Sequence, residues 1–203
     1  PHELGKYLDR ITREPMFTNH WYKQLFAPAP ESALPMDVTP EYSTLPEEGV
    51  EFVAKFLHRS KFIYILRHPV DRAISQLKMN LTRGRRKPRS VAEWMEEIGD
   101  PVLLDRGDYE TYIPRWRRHF DEKRLLILPF GMIRRDPLGF MRRIESFTGL
   151  EPHDYTGLGT QVFAGPKGMA VPDEVRAALR ARLEPQFAFL ERSFPPGFVD
   201  QMR

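Results

Sequence analysis

Two short apolar runs, KFIYIL at Lys61–Leu66 and RLLILPF at Arg124–Phe130, stand apart from a chain otherwise patterned at helical spacing. They are rich in β-branched and aromatic residues and unbroken by charge, the pattern of a strand buried on both faces. Helical stripes surround them. Val50, Val53, Phe56 and Leu57 form one face ahead of the first run, and Tyr109, Tyr112, Ile113, Trp116 and Phe120 form another ahead of the second. Pro69 ends the first run, after which VDRAISQLKMN resumes helical periodicity. DPLGFMRRIESFTGL predicts a further helix, with Asp136 as N-cap, Pro137 at its first position and Gly149 as terminator. A C-terminal helical region starts near Asp173 and is split at Pro185. Ala33 to Val38 reads as a brief strand closed by the turn TPEYS. Strands alternating with helices predict an α/β fold with a parallel sheet. With no internal repeat and no clear boundary, the 203 residues read as one domain.

Composition narrows the chemistry. There are no cysteines, which excludes disulfides, thiolate metal sites and cysteine nucleophiles. The six histidines, at positions 2, 20, 58, 68, 119 and 153, form no HxH or HxxxH pair, so no metal is expected. No window approaches the apolar length of a membrane span, and a cytoplasmic location is the expectation. A net charge of +3 suits an anionic ligand. The densest cationic run is RGRRKPR, Arg83–Arg89, which reads as a solvated loop or as a rim that steers anions by long-range attraction. No aromatics interleave with it, so nucleic acid is not the expected partner.

The chemistry concentrates in ILRHPVDRAISQL, Ile65–Leu77. Arg67 stands at the carboxyl end of the first predicted strand, where open parallel sheets gather ligands and the next helix presents its N-terminal amides. Its planar fork of donors suits a phosphate, and Pro69 pre-sets the helix start. Ser75, eight residues after Arg67, reaches the same anion only if the helix runs alongside it. From the residues alone a second reading stays open, in which Arg67 pairs with Asp71 at the surface and Ser75 fills a half-buried helix face.

The same stretch resembles the signature of the sulfotransferases that use 3′-phosphoadenosine 5′-phosphosulfate (PAPS). That resemblance implies that Arg67 and Ser75 hold the 3′-phosphate, while Pro69 and Arg72 shape the turn. Arg72 faces away from Arg67 on helical spacing and reads as structural. RGDYETYIPRWRRHF, LLILPFGMIRRDP and FTGL follow in an order similar to the branch that includes the heparan sulfate enzymes and bacterial relatives. GPKGMAVP resembles that branch's Lys-Gly loop, which implies cofactor binding by Lys167 and Gly168. Independently, glycines there let backbone amides approach phosphate oxygens, and Lys167 supplies charge.

The resemblance further implies a P-loop-NTPase-like three-layer fold, a central parallel sheet flanked by helices. The family's glycine-rich 5′-phosphosulfate loop has no counterpart, since no GxxxxGK stretch occurs in the chain. Pro1-His2 resembles the end of the Lys-Glu-x-His segment that follows that loop, so the sequence reads as a sulfotransferase domain starting after it. His2 is then a catalytic assistant or a substrate contact, or else a terminal histidine without a role. DVTPEYS, Asp37–Ser43, resembles the Glu-Lys-Thr-Pro-x-Tyr turn beside the acceptor pocket and implies substrate contacts from Thr39 and Tyr42. Val38 stands where the glycosaminoglycan enzymes often carry lysine. The expected activity is sulfuryl transfer from PAPS to a hydroxyl or amine of a small-molecule or carbohydrate acceptor. The alternatives are a P-loop-like nucleotide kinase and a non-catalytic nucleotide- or anion-binding domain.

Overall fold

The computed structural model describes residues 2–13, 15–100, 102–160 and 169–203. They fall into two compact units, Pro1–Pro40 and Glu41–Arg203. In the first, helices α1 (His2–Arg13) and α2 (Asn19–Gln24) are tied by Trp21 Nε1 donating to Ile11 O at 2.9 Å and Tyr7 OH donating to Leu25 O at 3.0 Å. Thr18 caps α2 by accepting from Trp21 N–H at 3.1 Å. The strand predicted at Ala33–Val38 does not form: this stretch is exposed and joins no ladder. The Asp37 carboxylate is engaged instead by the Thr39 and Tyr22 hydroxyls, at 2.6 and 3.1 Å. Such local side-chain bonding competes with strand pairing.

The second unit opens with a 3-10 turn (Pro40–Thr44) and α3 (Glu47–Phe56), then β1 (Phe62–Leu66) and α4 (Pro69–Arg83). Short helices α5 (Val91–Glu97) and α6 (Val102–Asp105) lead to α7 (Tyr109–His119) and β2 (Leu125–Pro129). There follow α8 (Met132–Arg135), α9 (Pro137–Thr148), α10 (Asp173–Arg182), α11 (Glu184–Ser193) and α12 (Phe198–Gln201). The predicted caps of α9 are present: Asp136 accepts from Gly139 N–H at 2.9 Å, and Gly149 closes the helix in the left-handed conformation at φ 83°. The C-terminal helical region divides between α10 and α11, ahead of Pro185.

Among the described residues β1 and β2 pair in parallel, from Phe62 opposite Leu125 to Leu66 opposite Pro129. Phe62, Tyr64 and Leu66 face the core made with α7 and its neighbours. Val50, Trp116, Phe120 and Leu125 form one cluster on that face, and Leu66, Tyr109, Ile113, Phe189, Leu190 and Met202 form another. Each fully buried side chain of this size contributes about 1.5–3 kcal/mol. A third cluster packs Val70, Ala73, Ile74, Leu77 and Leu81 of α4 against Trp94, Val175 and Leu179. The two-faced burial predicted for β1 holds only in part. Ile65, which alternates to the face opposite Tyr64 and Leu66, is 40% exposed, whereas its partner Leu128 is fully buried. On that same side Leu126 lines an open groove with Arg142, Arg143, Ser146 and Phe147.

Polar clamps fix the helices. Glu47 joins α3 to α7 by ion pairs with Arg118 and with His119 at 2.7 Å. These bonds, Arg118 first, hold its carboxyl down at about 2. Buried Glu145 accepts from Arg142 Nη1, His153 N–H and Tyr155 OH, each at 2.8 Å, and so pins the segment after α9. No described helix is long and apolar enough to cross a membrane.

Candidate active site

The β1–α4 junction carries the candidate site. Phe130 N–H donates to Leu66 O at 2.7 Å, which ends the ladder and leaves Arg67 beyond the sheet. His68 occupies the N-cap position of α4 without a side-chain cap bond, Pro69 takes the first turn, and the positive end of this 15-residue helix follows directly on Arg67. The Arg67 guanidinium is half-buried and stacks over the Phe130 ring, 5.2 Å from its centroid. Burial lowers its pKa, partly offset by Asp71, yet an arginine stays charged throughout the physiological range. Among the described residues it has no carboxylate or hydrogen-bond partner.

The surface pair Arg67–Asp71 does not form. Asp71 Oδ2 instead lies 3.4 Å from Arg203 Nε and 3.8 Å from His68 Nδ1. Ser75 is exposed and sits on α4 one turn beyond Arg72. Its hydroxyl likewise has no hydrogen-bond partner among the described residues. Arg72 points elsewhere, as its helical spacing predicted, and its Nε donates to Arg106 O at 3.1 Å. The junction thus presents a half-buried guanidinium with no carboxylate or hydrogen-bond partner among the described residues just ahead of α4, and the exposed Ser75 hydroxyl about two turns into that helix.

The other predicted positions are placed as follows. Thr39 lies in the first unit, bonded to Asp37. Tyr42 lies in the second, half-buried against the Val50, Trp116 and Phe120 cluster. His2 begins α1, and its side chain lies outside what is described. Lys167 and Gly168 lie outside the described residues. In the cationic run, Arg86 pairs with Glu97 at 2.6 Å and Arg89 N–H donates to Glu93 at 2.8 Å, while Arg83, Arg85 and Lys87 point into solvent.

Sequence reading missed two residues of the junction, His68 and Tyr109. Tyr109 is legible only as part of an apolar stripe, because the partner of its hydroxyl is far away in the chain. His68 is buried, with its ring 5.1 Å from Phe187, and Nδ1 has no hydrogen-bond partner. Burial, and then the Arg203 charge, push its pKa down to about 4, against the opposing pull of Asp71. The unfolded chain takes up this proton near the usual histidine value of about 6.5, before the folded chain does. Stability contributed by neutral His68 is thus complete above that value and is lost as pH falls toward 4. The loss is expected to reach about 3 kcal/mol at full protonation. In melts from pH 7 to 4, His68→Gln should show a shallower fall in Tm than the parent. Parallel curves would show that His68 is not held neutral by the fold.

A parallel strand pair whose first strand leads straight into a proline-started helix marks the chain as an α/β protein. Residues 3–154 match the sulfotransferase family model, and the chain belongs to that family. It is similar to the heparan sulfate glucosamine 3-O-sulfotransferase 3A1 of Mus musculus, 26% identical over 137 residues that make up 64% of this chain and 35% of that protein. It is also similar to the bifunctional heparan sulfate N-deacetylase/N-sulfotransferase 1 of Xenopus laevis, 29% identical over 111 residues, 48% of this chain and 12% of that one. The chain spans about a third of the length of the 3-O-sulfotransferases it matches. A crystal structure of a sulfotransferase from Alicyclobacillus acidocaldarius shares the fold, with TM-score 0.54 and 24% identity, covering 74% of this chain and 61% of that one.

Proposed function

We propose that this protein transfers a sulfuryl group from PAPS to a hydroxyl or amine of a carbohydrate acceptor, with Arg67 and Ser75 holding the donor's 3′-phosphate. The observation that carries this reading is the Arg67 guanidinium: half-buried, charged and, among the described residues, without a carboxylate or hydrogen-bond partner just beyond the carboxyl end of β1. A charge kept partly from water without a partner is costly, and a bound phosphate relieves that cost through paired, charge-assisted bonds. Ser75 adds a neutral donor, and the first turn of α4 adds backbone amides. PAPS, when bound, supplies the activated sulfuryl group. This chain's own part is to orient the nucleotide and screen its charge, the route by which group transfer between phosphate-like centres is mostly accelerated.

The three-layer arrangement around a P-loop-like sheet belongs to this reading and is supported by the parallel β1–β2 pair and the likeness to a solved sulfotransferase. The relatives' names support a carbohydrate acceptor and both nucleophile types, a 3-hydroxyl in one and an amine in the other. Exposed Val38 takes the place of the lysine expected beside a heparan-type acceptor, which favours a less acidic sugar. The test is calorimetric titration of the intact protein with adenosine 3′,5′-bisphosphate and with 5′-AMP. Binding that depends on the 3′-phosphate, by roughly 30-fold or more, is expected. Equal affinity for the two nucleotides, or none for either, would overturn the reading.

A further inference from the structure

We infer that Tyr109 is a positioning residue for the anion site, setting the direction of Arg67 through the Arg67 peptide. The inference rests on the reading of Arg67 as the 3′-phosphate ligand. The Arg67 carbonyl lies past the end of the β1–β2 ladder, whose last bond is taken by Leu66 O. It also precedes α4, where the first helical acceptor is His68 O, bonded to Arg72 N–H at 2.9 Å. Neither element therefore supplies a donor for Arg67 O. Tyr109 does, donating from its hydroxyl at 2.7 Å while its side chain is 1% exposed. A donor fixed in the core thus holds this carbonyl, and with it the plane of the peptide from which the guanidinium projects.

Tyr109 is itself held. Gln186 of α11 bridges the start of α7, donating to Asp108 Oδ1 and accepting from Glu110 N–H, both at 2.9 Å. Asp108 also caps α7, accepting from Thr111 N–H at 3.3 Å. The turn before α7 also grips α4 itself, since Arg106 O accepts from Arg72 Nε at 3.1 Å. Both partners of the anion site, the strand end that bears Arg67 and the helix that bears Ser75, are thereby referenced to one turn, Arg106–Tyr109. A phosphate fork needs the guanidinium plane as well as its charge, so loosening this turn lowers selectivity for the 3′-phosphate without touching any ligand atom.

The experiment measures the ratio of affinities for adenosine 3′,5′-bisphosphate and 5′-AMP in the parent, Tyr109→Phe and Arg67→Ala, at a temperature where all three are folded. Tyr109→Phe keeps the ring and removes only the donor. It is expected to lower the ratio roughly 5- to 10-fold with 5′-AMP affinity unchanged, whereas a purely structural role would leave the ratio intact in the folded fraction. A parental ratio in Tyr109→Phe beside a collapsed ratio in Arg67→Ala overturns the inference alone. A parent that does not distinguish the two nucleotides overturns the underlying reading instead. Should Tyr109→Phe not fold, Arg72→Gln, at a less buried position, reads the same turn: a reduced ratio supports the inference and an unchanged one overturns it.

Discussion

Arg67→Ala is expected to weaken binding of adenosine 3′,5′-bisphosphate by about 2 kcal/mol or more, roughly 30-fold, while leaving 5′-AMP affinity unchanged. The size follows from environment. The guanidinium is half-buried on Phe130 with no described protein partner, so a phosphate meeting it finds a cation already stripped of part of its water. The same fact keeps the stability change small. Removing an unpartnered half-buried charge breaks no ion pair, and the variant should melt within a few degrees of the parent. Unchanged bisphosphate affinity in a folded Arg67→Ala protein would remove Arg67 from the site. A large drop in Tm with little change in affinity would make it a structural cation.

Gly131→Ala is expected to be among the most damaging single changes outside the hydrophobic clusters. Gly131 precedes α8 with φ −63°, an ordinary helical value that alanine adopts readily. Conformation therefore does not require glycine here; space does. A Cβ would drive into the carbonyl oxygens of Arg203 and Gln201, and backbone cannot swing aside as a flexible side chain can. The displaced segment is the one that accepts from His68 N–H through Met202 O, at 3.3 Å, and pairs Arg203 with Asp71. Overpacking of this kind costs about 3 kcal/mol, which lowers Tm by roughly 6–12 °C in a domain of this size. A melt within 2 °C of the parent, taken as about the scatter of repeat runs, would show that the C-terminal residues are not seated where the structure has them.

How much of this is legible in the sequence depends on the range of the interaction. β1, β2, the start of α4 at Pro69 and the caps of α9 are written in local periodicity and in residues such as Asp136 and Gly149, and they fold as read. Ala33–Val38 misleads because strand propensity says nothing about a pairing partner, and Asp37 offers its neighbours a local alternative. Asp71 looks like the natural partner of Arg67 by spacing, yet the fold delivers Arg203 to it from the far end of the chain. Arg67, the proposed anion ligand, is visible as a strand-end arginine with a serine at family spacing. The frame that aims it is not, because a stripe of apolar positions places Tyr109 in the core without saying where its hydroxyl points.

The parallel pairing of β1 with β2 has a kinetic meaning as well. Every rung of that ladder joins residues separated by the whole of α4 to α7, so no hairpin can seed it and a long loop must close before the first rung holds. The helices can form early from local signals, but the strand end that bears Arg67 gains its final shape only when β2, the turn before α7 and the C-terminal residues have all arrived. On the proposed reading of Arg67, nucleotide affinity should therefore appear during refolding later than helix formation, with the closing of this long-range ladder.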